Sequence, residues 1–319
     1  MIRPDAFNLL HWVSATRPAF LSITLLATMI GFSHALWRTG SLAQASLLAI
    51  FLAVTGALLA HAGANILNDV ADADNGSDAA NTGRVPPFTG GSRTIQEGRL
   101  SRQTMHLFGW SLLAISTLSG FLLLAFSDGR LVAFGILGLL LAFAYSLPPL
   151  KLMARGLGEF TVVLAWLLIV TGCDFVIRHE WDWRTWLAGL PFALHAGMIL
   201  VVNQIPDRAA DLRAGKRNWT VRLDRKKGAL PYSLLLVSAH MATLVAVTLK
   251  ALPLWALATW ITLPLGWKAT RQIHLAVTAP NMPPDTLLPP IRCTLLQAHL
   301  AGVLLVLCFF ADRLLGTAP

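Results

Sequence analysis

Four carboxylates fall within ten residues in the stretch Asn65-Ile66-Leu67-Asn68-Asp69-Val70-Ala71-Asp72-Ala73-Asp74-Asn75-Gly76-Ser77-Asp78. Asp69 and Asp72 are three apart, so a helix that carries them sets both on one face. Asp78 follows a glycine turn that can fold it back toward them. A second stretch, 203–217, sets Asp207 and Asp211 four apart and trails Gly215, Lys216 and Arg217. Carboxylates this close repel one another unless a cation sits among them. Hard oxygen donors suit Mg²⁺, which binds through one or two carboxylates plus the phosphate oxygens of a substrate. Asp69, Asp72, Asp207 and Asp211 are therefore the candidate metal ligands. Lys216 and Arg217, with Arg93 and Lys151 from neighbouring loops, are candidates to neutralise phosphate oxygens directly. Metal and cations gathered on a diphosphate make it a good leaving group.

Both stretches sit at the ends of long apolar runs, and those runs must position them. Of 319 residues, 55% are hydrophobic and 13% charged, against about 25% charged in a soluble domain. Windows of the length that crosses a bilayer recur at roughly 18–37, 44–66, 105–127, 130–147, 159–177, 185–205, 229–250, 252–269 and 292–311. Backbone polar groups in lipid must be satisfied within the segment, so these windows are expected as helices. The expectation is an all-α polytopic membrane protein of nine spans, one domain over residues 1–319. Residues 1–16 read as an interfacial helix that leads into the first span. Arg17-Pro18 opens that span, with Arg17 expected to snorkel to the headgroups.

The net charge of +9 does not point to nucleic acid, because of where the charge lies. With nine spans, 19 of the 25 Lys and Arg fall on the side of the N-terminus. Positive loops stay inside, which puts the N-terminus in the cytoplasm, the C-terminus outside, and both acidic stretches on the cytoplasmic face of an inner membrane. Arg222, Arg225, Lys226 and Lys227 are expected against anionic headgroups, and Asp74 in solvent. Cys173, Cys293 and Cys308 lack metal-ligand spacing and read as free buried thiols. A substrate embedded in this setting is expected to be a lipid diphosphate. A cation-coupled transporter also places carboxylates on broken helices, but at the bilayer midplane rather than at helix ends with trailing cations.

These motifs resemble the UbiA superfamily of intramembrane aromatic prenyltransferases. The first family motif, Asn-Asp-x-x-Asp and a further Asp, matches Asn68, Asp69, Asp72 and Asp78. The second matches Asp207, Asp211, Gly215, Lys216 and Arg217. Tyr145 to Pro149 matches a Tyr-Ser-x-Pro-Pro segment, and Arg17-Pro18 an entry motif. The pattern is most similar to the 1,4-dihydroxy-2-naphthoate branch of menaquinone synthesis. It departs from that branch at Gln204-Ile205-Pro206, at Asn218 in place of Thr, and in the loop Phe88 to Arg93.

The resemblance implies nine helices around a central cavity. It also implies a polyprenyl diphosphate donor with Mg²⁺, and an aromatic acceptor: dihydroxynaphthoate first, with 4-hydroxybenzoate, homogentisate or a tetrapyrrole as alternatives. Asn65, Asn68, Asp78, Arg93, Lys151, Lys216 and Arg217 are then expected to bind substrate. The implied chemistry ionises the allylic C–O bond at Asp69, Asp72, Asp207 and Asp211, with the ring face of Tyr145 toward the cation.

Overall fold

A long helix rich in small residues carries each acidic stretch, and the rest of the bundle packs around these two. The chain was analysed as a computed structural model that describes residues 8–41, 46–279 and 283–316, all helix, turn or loop. In order, the helices are α1 (Leu9–Ala15), α2 (Pro18–Thr39), α3 (Leu47–Asp74), α4 (Ser77–Ala80), α5 (Arg102–Leu123) and α6 (Leu131–Ser146). There follow α7 (Gly158–Arg178), α8 (Trp183–Arg213), α9 (Trp219–Arg222), α10 (Leu230–Thr248), α11 (Leu263–Thr278) and α12 (Leu288–Leu314). The expected interfacial segment is described from residue 8 as α1, and its residues 1–7 lie outside the described residues, as do residues 44 and 45 of the second expected span.

Seven helical segments among the described residues are long and apolar enough to cross a membrane. Two expected spans are not among them. The 130–147 window folds as α6, whose 16 residues extend about 24 Å against a bilayer core of about 30 Å. The 252–269 window is split into a 3₁₀ segment, Leu254–Thr262, and α11. Pro253 and Pro264 bracket that segment and each lacks the N–H an α-helical ladder would need.

The first acidic stretch is more helical than its sequence suggests. Helix α3 runs eight residues past the expected end of its span, to Asp74, so Asp69 and Asp72 stand on its last turns rather than in a loop. Close packing on α5 holds this end in place. A Cβ on Gly63 would lie 3.0 Å from the carbonyl of Gly109, and one on Gly109 would lie 2.9 Å from Leu67. Small residues let the two backbones approach where no water competes for the contact. Helix α8, with Pro191 and Pro206 in its interior, runs through the centre of the bundle and packs on α7, α10 and α12. Pro206 removes one backbone donor directly before Asp207. Apolar clusters fill the spaces between these helices, one among α2, α7, α8 and α12 and another among α8, α10, α11 and α12, with Phe192, Phe309 and Tyr232 fully buried.

Candidate active site

The ends of α3 and α8 meet. Asp69, Asp72, Asp78 and Asp211 are all buried, at 3 to 8% exposure, and Asp207 is half-buried beside them. Lys216 joins the two stretches: its Nζ lies 2.8 Å from Asp72 Oδ1 and 2.9 Å from Asp211 Oδ1. It is itself 4% exposed. Burial alone would lower the ammonium's affinity for its proton, but the Asp72 and Asp211 carboxylates outweigh that and hold it raised. Asn218 donates to Asp211 Oδ2 at 2.8 Å while its own carbonyl oxygen caps α9 by accepting from Val221 N at 3.0 Å. The departure from Thr at this position thus has a structural role: an amide both donates and accepts here.

The loop after α4 closes over the cluster and contacts both stretches with its backbone. The Ser92 amide donates to Asp69 Oδ2 at 2.9 Å, and the Gly90 amide to Asp207 Oδ2 at 3.2 Å. Gly91, between them, has φ +73°, and a Cβ there would meet Asp78 Oδ2 at 2.7 Å. Only glycine fits that backbone so close to two carboxylates. Asn81 donates to Asp207 Oδ1 at 2.6 Å. Gln96 donates to Asp78 Oδ2 at 3.3 Å, and Arg93 donates to the Asp78 carbonyl. Asn75 donates to Asp72 Oδ1 at 3.2 Å.

The structure corrects several expectations. Arg17 does not reach headgroups; it pairs with Asp69 and stands over the cluster, held by a left-handed φ of 55° ahead of Pro18. Asp74 is exposed, as expected, and there Arg102 donates to both its oxygens, at 2.5 and 2.6 Å. Arg222 is exposed and donates to the carbonyls of Arg217 and Arg155, both at 2.6 Å. Lys151 and Arg217 are exposed, and neither lines the cavity below.

A cavity of about 470 Å³ opens beneath the cluster. Asp72, Asp78, Asp207, Asp211, Lys216 and Arg17 lie at its polar end. Asn65, Asn68 and Tyr145 line its upper wall, and apolar side chains such as Leu52, Phe121, Phe134 and Val176 line its depth. Asn65 donates to the Thr16 carbonyl at 3.1 Å, and Asn68 to Ser146 Oγ at 3.1 Å, so each ties the α3 face to a neighbouring segment. His61 also lines the cavity, hydrogen-bonded to Thr24 Oγ1 at 2.8 Å and edge-on to Trp166. Asn203 and Gln204 line it with side-chain carbonyl oxygens that have no hydrogen-bond partner among the described residues. Their signal in sequence is two adjacent amides inside an otherwise apolar run.

The donor set fits a divalent cation. Asp72 and Asp211, from the two acidic stretches, approach one position that the Lys216 ammonium bridges, and their hard oxygens are donors that such a cation takes. Among the described residues no three His, Cys, Asp or Glu side chains converge as a ready-made cage, as expected of an ion that arrives with phosphate oxygens and needs few protein ligands.

Asp78 carries a pH signature. Burial, reinforced by the charge of Asp72, pushes its carboxyl up to about 7. A carboxyl that holds its proton more tightly when folded adds stability fully present below about pH 4 and lost as pH rises through about 7. Asp78→Asn mimics the neutral acid, so in metal-free protein it should raise Tm at pH 8 and leave it almost unchanged at pH 4. An equal shift at both pH values would show that the carboxyl is not protonated in the fold.

The UbiA prenyltransferase family profile matches residues 19–280. The 1,4-dihydroxy-2-naphthoate octaprenyltransferase of Escherichia coli is 26% identical over 95% of this chain and 96% of its own length. That of Haemophilus influenzae is 27% identical over 73% of this chain and 75% of its own. Among solved structures, a UbiA homolog from Archaeoglobus fulgidus bound to GPP and Mg²⁺ has a TM-score of 0.61. It shares 15% identity with this chain, and the match covers 94% of this chain and 98% of that one. This chain belongs to the UbiA prenyltransferase family and is a multi-pass membrane prenyltransferase.

Proposed function

We propose that this chain transfers a polyprenyl group from its diphosphate to an aromatic acceptor, with 1,4-dihydroxy-2-naphthoate as the first candidate, in an Mg²⁺-dependent reaction. The convergence of α3 and α8 on one buried acid cluster above an apolar cavity carries this reading. Asp69, Asp72, Asp207 and Asp211 would hold the metal, which supplies charge neutralisation for the departing diphosphate. Lys216 and Arg17 release carboxylates to it and turn their own charge to phosphate oxygens. Arg93 fixes the backbone at Asp78, so it supports the site from behind. Tyr145 presents an aromatic ring to the cavity where allylic positive charge develops, and the apolar walls keep water from that charge. Asn203 and Gln204 offer carbonyl oxygens with no internal partner to the hydroxyls of an acceptor ring. The same reading takes α6 and the segment Leu254–Thr278 as crossings, giving nine in total. It sets the N-terminus and the acid cluster on the cytoplasmic side.

The relatives named for the naphthoate acceptor support that choice. Purified enzyme with Mg²⁺, geranylgeranyl diphosphate and separate aromatic acceptors, read by product mass, tests it. Prenylated dihydroxynaphthoate is the expected product. Product from 4-hydroxybenzoate alone would keep the chemistry and overturn the acceptor.

A further inference from the structure

A second pocket, of about 530 Å³, opens between the start of α10 and the end of α11. Gly228 packs against Val277, a Cβ there lying 3.3 Å from its Cγ1, so these two ends are adjacent. Both lie at the end of the bundle that carries the acidic stretches, because α10 begins directly after the second of them. Lys226, Lys227, Arg271 and His274 line the pocket with Ser233 and Thr270, and no carboxylate does. Among the described residues, neither lysine nor Arg271 has an ion pair with a carboxylate. Thr270 Oγ1 is buried with no hydrogen-bond partner among the described residues, whereas the Ser233 hydroxyl donates to the Ala229 carbonyl at 2.9 Å. The pocket thus presents concentrated positive charge and one unanswered hydroxyl.

What continues from the pocket is apolar. Leu230 lines it, and Leu230, Leu234, Val237, Met241 and Leu244 are exposed in sequence along one face of α10. Their spacing of three and four makes a continuous stripe down the helix. Leu275 of α11 flanks its upper end, also exposed. The stripe belongs to a helix long and apolar enough to face a bilayer, so an occupant with acyl chains continues along it, whereas a free phosphate would use the cations alone. A headgroup phosphate with acyl chains beneath it uses both.

We propose that this pocket binds one anionic phospholipid, with the headgroup phosphate among Lys226, Lys227 and Arg271 and the acyl chains along the α10 stripe. Basic pockets between membrane helices near the interface bind such headgroups. The occupant would tie the start of α10 to the end of α11. It would therefore steady the short segment that joins α10 to Lys216 and Asn218 of the active site, while taking no part in the chemistry.

The test uses the full chain in a neutral detergent. Phosphatidylglycerol, phosphatidylcholine of the same acyl length and inorganic phosphate are added separately, and Tm and lipid retention by native mass spectrometry are followed. The expected result is one retained phosphatidylglycerol and a rise in Tm that neither of the other two reproduces. Lys226→Gln, Lys227→Gln and Arg271→Gln should each weaken retention roughly fivefold, from about 1 kcal/mol per cation near an anionic lipid. Lys268→Gln, on the same helix but outside the pocket, should leave retention unchanged. Wild-type retention in the combined triple variant would overturn the proposal. So would an equal Tm rise with inorganic phosphate, or equal retention of phosphatidylcholine. Should the triple variant fold poorly, Arg271→Gln alone decides between the same outcomes.

Discussion

Asp72→Asn is expected to lower prenyl transfer by about a thousandfold while the protein stays folded. A metal-held carboxylate contributes several kcal/mol to a transition state in which negative charge builds on a departing diphosphate, and each 1.36 kcal/mol is worth about a factor of ten. The substitution keeps the shape of the side chain and removes only its charge. Lys216 then still has Asp211 at 2.9 Å, so no buried charge is orphaned and Tm should change little. Turnover and Tm measured on the same preparation check both halves. Turnover within tenfold of wild type would take Asp72 out of the metal site.

Lys216→Met should have the largest effect on stability. Lys216 is the only cation seen within 4 Å of both Asp72 and Asp211 among the described residues. Without it, two buried carboxylates share a site with no countercharge. Removing one member of a buried charge network costs about 3 kcal/mol or more. The ammonium sits where the proposed divalent cation would, so Mg²⁺ alone should restore part of the lost Tm in Lys216→Met. Wild-type protein, its carboxylates already neutralised, should respond to Mg²⁺ far less. Absence of any Mg²⁺ response in the variant would mean that the space between Asp72 and Asp211 is not a cation site. This exchange also explains why a lysine rather than a second arginine suits the position. A compact ammonium on a flexible stem can leave two carboxylates for phosphate, whereas a planar guanidinium is held by its fork.

The acid pairs were legible in the sequence because their spacing matches helix geometry and because charge beside lipid is costly enough to be informative. Asp69 and Asp72 stand on one face of α3 and Asp207 and Asp211 on α8, as the three- and four-residue spacings predict. The partners of these acids were harder to read. Arg17 lies 52 residues from Asp69 and sits at a helix entry where arginine commonly anchors a headgroup; only tertiary packing turns it inward. Asn81 bonds across 126 residues and Gly90 across 117, through a loop whose turns carry no periodic signal. Asn218 reads as a departure from a motif until its two hydrogen bonds are seen together. The change of helix type within the 252–269 window was hidden for a different reason: hydropathy registers apolar length but not the hydrogen-bond pattern, which changes from 3₁₀ to α at Leu263.

The central claim is that the two motifs together bind a divalent cation with a prenyl diphosphate. Calorimetry with geranyl diphosphate, in Mg²⁺ and then in excess EDTA, tests it most directly. The proposed function predicts binding in Mg²⁺ that is lost in EDTA, and loss in Mg²⁺ as well for Asp72→Asn and for Asp211→Asn separately. Equal affinity in EDTA, or binding that survives in either variant, would contradict it.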